Sequence, residues 1–156
     1  MHKPQDWQLQ IIQLLAVFGM FIAYFLLLYH NGDLITICKS GTWEDCGLVS
    51  GPGAPYASIG PIPVALIGLI GYIAIFLTIW LQDWVNILED YAPEIVVGLT
   101  GLAVLFTLYL TMLEAVVIHA FCRYCLISAG NIIIMLILSI SYLRKVNKGS
   151  SSDSSS

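Results

Sequence analysis

Charge is what this chain has least of. Lys, Arg, Asp and Glu together make up 10% of its 156 residues, whereas a soluble domain carries about 25%. Only six residues are Lys or Arg, and they form no stripe, so the electrostatic footprint of a nucleic-acid binder is missing. The net charge of −4 is small. Cysteine is scarce too: there are four, at two places in the chain. What fills the sequence instead is apolar, at 58% of residues. That composition describes an integral membrane protein, and the length allows one domain.

Four apolar runs are long enough to cross a bilayer, which takes roughly 20 residues. They are Leu9 to Tyr29, Pro61 to Leu81, Ile95 to Phe121 and Leu126 to Leu143. Lipid offers backbone groups no partners, so each run is expected as a helix. The fold class is therefore all-α: a four-transmembrane-helix bundle. The first run is longer than a signal-peptide core, and Leu27-Leu28-Tyr29-His30 offers no small-residue cleavage site. It reads as a retained helix.

Residues 1–8 form a short polar arm and 9–143 the membrane domain; 144–156, low in complexity from Gly149 on, is expected as a disordered tail. The first loop is long and rich in Gly, Pro and Ser, through Ser50-Gly51-Pro52-Gly53-Ala54-Pro55. A short helical or surface-lying piece is expected near Asp45 to Val49. Residues 82–94 read as a short acidic linker. Four crossings put the arm, this linker and the tail on one side, with Lys3, Arg144, Lys145 and Lys148. The other side holds Lys39 and Arg123. The excess of basic residues makes the first side cytoplasmic. The tail is then cytoplasmic, the long loop extracytoplasmic, and the protein a multi-pass protein of the cell membrane.

Every cysteine falls on that extracytoplasmic side. Cys38 and Cys46 lie in the long loop, and Cys122-Arg123-Tyr124-Cys125 forms a C-x-x-C pair before the fourth run. Outside the cytoplasm disulfides form and persist. A C-x-x-C turn brings two sulfurs within disulfide reach and often lowers a thiol pKa. Two pairs on one face suggest a dithiol relay, in which a thiolate attacks a disulfide and the electron pair moves on. The competing reading is a non-catalytic membrane scaffold or subunit stapled by two disulfides. A Cys₄ zinc site fits less well, because zinc knuckles space their cysteines more tightly than Cys38 and Cys46. No metal is expected.

Glu114 and His119 interrupt the third run, and an ionisable residue in a membrane helix is a functional candidate. If the helix continues into the C-x-x-C turn, His119 shares a face with Cys122. A protonated His119 would then favour the thiolate and could donate a proton to a reduced acceptor. The alternative is a histidine hydrogen-bonded at the headgroup level. Glu114 lies deeper and is expected protonated and bonded to another helix, ahead of a role in proton transfer. Arg123 either favours a neighbouring thiolate or snorkels to water.

Taken together, Cys38 to Cys46, Val49-Ser50, Pro55-Tyr56-Ala57, Gly60-Pro61-Ile62-Pro63-Val64-Ala65, Gly68, Gly71-Tyr72 and the C-x-x-C pair resemble the vitamin K epoxide reductase family in its bacterial form. The resemblance spans about Leu9 to Leu143. It implies a four-helix bundle around a quinone pocket, with ubiquinone or menaquinone as electron acceptor. It implies that Cys122 and Cys125 are the active-site pair, with Cys125 facing the quinone, and that Cys38 and Cys46 carry electrons from a thioredoxin-like partner. Many bacterial members carry that partner as a fused domain; here a separate extracytoplasmic protein is expected. The quinone-binding residues are not identified. Three positions depart from the family pattern. Its serine after the second loop cysteine is matched only approximately, by Ser50. The vitamin-K-binding tyrosine and asparagine of its vertebrate enzymes correspond to Ala129 and Val64. Quinone reduction is thus expected rather than epoxide reduction.

Overall fold

Backbone amides in hydrocarbon can pair only with one another, and all four apolar runs fold as helices. The computed structural model describes residues 7–33, 46–82 and 84–153. Helix α1 spans Trp7–His30, α3 Val64–Leu81, α4 Asn86–Leu113 and α5 Arg123–Asp153. A π-helical turn, Glu114–Ile118, continues α4. The short α2, Cys46–Ser50, confirms the helical piece expected in the first loop, one residue further on. Two-residue strands, β1 Ser58–Ile59 and β2 Ile62–Pro63, pair antiparallel ahead of α3. Their turn is Gly60-Pro61. Gly60 takes φ 64, and proline fixes a negative φ after it, the sign pattern of a tight II′ hairpin.

The main contacts run α1 to α3, α3 to α4, α4 to α5 and α5 back to α1, a closed ring of four. Ile12, Ile75, Val96 and Met135 meet at its centre, fully buried or nearly so. Gly19 lets α1 approach α3 closely: a Cβ there would overlap the Tyr72 ring. The Tyr72 hydroxyl bonds Ser128 Oγ at 2.8 Å, and Asn131 Nδ2 donates to the Leu15 carbonyl at 2.9 Å. These bonds tie α1, α3 and α5 together inside the apolar layer. Large apolar residues such as Leu14, Phe18, Leu102, Leu105 and Met112 stay exposed, as a lipid-facing surface requires.

Two helices extend into segments expected to be non-helical. Helix α4 starts at Asn86, so most of the expected acidic linker is helical. Pro93 sits inside that helix and removes one backbone bond. Ala92, Pro93 and Val96 are nevertheless buried against the bundle, and that packing offsets the loss. Helix α5 likewise runs past Leu143 to Asp153, where a disordered tail was expected. No proline follows Leu143, and each further residue adds a helical bond once the helix exists. Lys145 Nζ rests 5.6 Å from the Trp7 ring centre, and Ser151 Oγ donates to the Lys148 carbonyl. Asp83, the first-loop residues 34–45 and both chain ends, 1–6 and 154–156, lie outside the described residues.

Candidate active site

The π-turn ends abruptly at His119, which adopts φ 55. A left-handed residue cannot continue the helix, so residues 119–122 form a non-helical corner before α5. The premise that His119 lies one turn below Cys122 on a shared helix face therefore fails. His119 is exposed, and its backbone makes the corner. Cys122 follows at the N-cap of α5: its carbonyl accepts the Leu126 N–H at 3.0 Å. Cys125 lies in the first turn. The pair thus occupies a helix N-terminus, where the dipole favours negative charge.

The two sulfurs face different surroundings. Cys122 is fully buried, packed with Leu26, Val49 and Ala120. Cys125 is partly open and lines a cavity of about 400 Å³ enclosed by α1, α3, α4 and α5. Both stand as free thiols. The Cys125 thiol hydrogen-bonds Cys122 and holds the Cys122 thiol below its ordinary range. The Cys125 amide and the Ser50 hydroxyl act the same way, against burial and the Glu114 charge. Tyr124, between the cysteines, packs on Phe25 of α1 with ring centres 5.1 Å apart.

Glu114 is buried at the start of the π-turn, and its Oε2 accepts the Cys122 N–H at 3.4 Å. Its partners are Cys122, the cap of α5, and the Cys125 thiol in the first turn of that helix, so it is bonded to another helix as expected, and its side chain also lines the cavity. A π-turn is a frequent device for aiming one side chain into a site. Arg123 is exposed at the start of α5. Cys38 lies outside the described residues. The backbone of Cys46 opens α2, one turn before Ser50, and Ser50 Oγ stands 3.8 Å from Cys125 Sγ. Helix α2 therefore docks its Cys46-bearing turn beside the C-x-x-C pair.

Several cavity residues were not singled out as site residues from the sequence. His30, Tyr72 and Ser128 line the wall, as does Val64; Ala129 does not. Ser128 was findable, since it follows Cys125 by three residues and so shares its helix face. Tyr72 and His30 carried no such signal. Much of the remaining wall is apolar, with Ala65, Ile75, Leu102 and Phe106 among its residues.

The fold and the site define a class: a multi-pass membrane bundle that holds a dithiol at the wall of an apolar cavity. The profile of the vitamin K epoxide reductase family matches residues 10–140. The chain belongs to that family, which is one of membrane oxidoreductases working between thiols and quinones. No curated protein matches the chain.

Proposed function

We propose that the protein is a membrane thiol:quinone oxidoreductase that supports disulfide formation outside the cytoplasm. A thioredoxin-like partner presents a dithiol. Its thiolate attacks the Cys38–Cys46 disulfide at Cys38, and the partner leaves oxidised. The freed Cys46 thiolate attacks Cys122 of a Cys122–Cys125 disulfide. Cys38 resolves that mixed disulfide, which restores Cys38–Cys46 and leaves Cys122 and Cys125 as thiols. A quinone, ubiquinone or menaquinone, takes up the two electrons and two protons that these thiols release on closing their disulfide. The sum is one partner dithiol oxidised and one quinone reduced to quinol.

The observation that carries this reading is the asymmetry of the pair. Cys125 opens into the cavity beside Ser50 of α2, while Cys122 is fully buried among Leu26, Val49 and Ala120. One sulfur is thus suited to the acceptor and the other to the loop cysteines. The cavity suits the acceptor as well. Its volume of about 400 Å³ falls within the usual range for small-molecule sites. Its wall is largely apolar, with a few polar groups. Glu114, between the Cys122 amide and the cavity, is placed to pass a proton from the thiols. The balance of basic residues favours the extracytoplasmic side for the cysteines.

The test is quinol production by the purified full chain with a reduced thioredoxin-like donor. Cys125→Ser is expected to stay folded, abolish quinol production and accumulate mixed disulfides upstream. A Cys125→Ser protein that unfolds, or that reduces quinone at the wild-type rate, would refute the reading.

A further inference from the structure

The cavity stops part of the way across the bundle. Its deepest lining residues are Ala23 of α1, Ile75 of α3, Leu99 of α4 and Ile132 of α5. Beyond them Ile12, Ile79, Val96 and Met135 close the bundle, each at most 4% exposed. Residues 8–29, 64–81, 95–113 and 126–143 of the four spans include no Asp, Glu, Lys, Arg or His. Two buried hydroxyls past the cavity, Thr100 and Ser139, donate to carbonyls of their own helices, those of Val96 and Leu136. Proton relays through membranes run along chains of Asp, Glu and His. The far half of this bundle offers no such chain.

On the cysteine side one such group is in place. Glu114 is buried, lines the cavity and reaches the Cys125 thiol. A carboxylate can take up a proton and, once protonated, donate it again. Ser50 also lines the cavity beside Cys125, but its hydroxyl keeps its proton at neutral pH. We propose that both protons of the quinol come from the cysteine side by way of Glu114, so that turnover moves no net charge across the membrane. This rests on the quinone-reducing function proposed above. Two S–H bonds break, and one S–S and two O–H bonds form. The electron pair passes from the sulfurs to the quinone. The Cys125 proton goes to the Glu114 carboxylate and from there to a quinone oxygen, and the Cys122 proton follows through the same carboxyl. Electrons and protons then enter from one side, and the membrane potential does no work on the reaction.

The experiment uses the full chain in sealed lipid vesicles, with a short-chain ubiquinone as probe and a reduced thioredoxin-like donor outside. That donor reaches only chains whose cysteines face outwards. A potassium gradient with valinomycin sets the potential, and a pH dye is trapped in the lumen. One charge crossing the whole membrane per turnover would change the driving force roughly fiftyfold at a typical potential. The wild type is expected to form quinol at the same initial rate with either sign of potential, at constant lumenal pH. Glu114→Gln keeps an oxygen for the Cys122 N–H but carries no proton. It is expected to stay folded, to keep the KM for quinone and to lower kcat by about a hundredfold, the lower end for a lost acid–base group. Glu114→Asp restores a carboxyl, one methylene shorter, and is expected to recover part of the rate. A wild-type rate that changes with the sign of the potential, a lumen that turns alkaline, or a Glu114→Gln protein as fast as wild type overturns this inference alone. A wild-type chain that forms no quinol at any potential overturns the proposed function with it.

Discussion

Gly19→Ala tests the closest contact in the bundle. A Cβ at this position overlaps the Tyr72 ring, which is nearly fully buried. The ring must move, and its hydroxyl then leaves Ser128 Oγ, now 2.8 Å away. Overpacking costs about 1–3 kcal/mol, and the lost hydrogen bond about 1 kcal/mol. Alanine returns up to about 1 kcal/mol of helix propensity over glycine. The net is a loss of about 1–3 kcal/mol, or roughly 2–12 °C in Tm for a chain of this length. Thermal unfolding of the detergent-solubilised protein measures it. The decisive comparison is made in a Tyr72→Ala background, where the ring is gone. There Gly19→Ala is expected to change sign and stabilise by up to about 1 kcal/mol, because only the propensity remains. Equal destabilisation in both backgrounds would sink the idea that Tyr72 is what requires a glycine.

Other expectations follow from the site. Thiolate absorbance near 240 nm, taken as wild type minus Cys122→Ser, should titrate with a midpoint below 9.0, the unperturbed thiol value. Because the folded pKa is the lower one, ionised Cys122 adds stability above the unfolded pKa, and this is lost as pH falls through the folded one; an equal or higher midpoint refutes the assignment. His119→Gly should be neutral or stabilising and His119→Val should cost about 1–2 kcal/mol, since φ 55 suits only glycine without penalty. The same His119→Gly protein should keep the wild-type thiolate midpoint, and a shifted one would restore His119 to a tuning role. In otherwise cysteine-free chains, Ser40→Cys should label from outside intact cells and Ser150→Cys only after permeabilisation; the reverse pattern overturns the orientation.

The sequence shows the four spans plainly because lipid tolerates so few alternatives. It misplaces their ends, and the reason is local. Hydropathy marks where a helix enters water, not where it stops being a helix. Residues 86–94 are polar and helical, and so are 144–153. The cysteines were legible because their chemistry is written in residue type and spacing. The corner that separates Glu114 from Cys122 was not. Nothing in Ile118-His119-Ala120 announces a break; it follows from a histidine holding a left-handed backbone. The cavity was the least legible part. In a membrane bundle, apolar side chains face lipid, core and ligand alike, so Leu102 on the lipid-exposed surface and Ile75 in the core both also line it. Only the polar exceptions could have pointed inward, and His30 at a helix end has an ordinary interfacial reading.

The geometry also bears on the choice between a relay and a staple. A disulfide stabilises mostly by the loop it closes in the unfolded chain, and the gain shrinks with the loop. Cys122 and Cys125 are the N-cap and first turn of one helix, so joining them ties no element to another. The bundle is held instead by apolar contacts around Ile12, Ile75 and Met135 and by the Tyr72–Ser128 and Asn131–Leu15 bonds. It closes around free thiols. A pair that contributes so little to the fold is nonetheless fixed with care. Phe25 packs on the residue between the cysteines, Glu114 receives the Cys122 amide, and Ser50 approaches Cys125. Those contacts come from three different elements and converge on two sulfurs. Such convergence fixes both sulfurs, Cys122 among Leu26, Val49 and Ala120 and Cys125 beside Ser50 at the wall of the cavity.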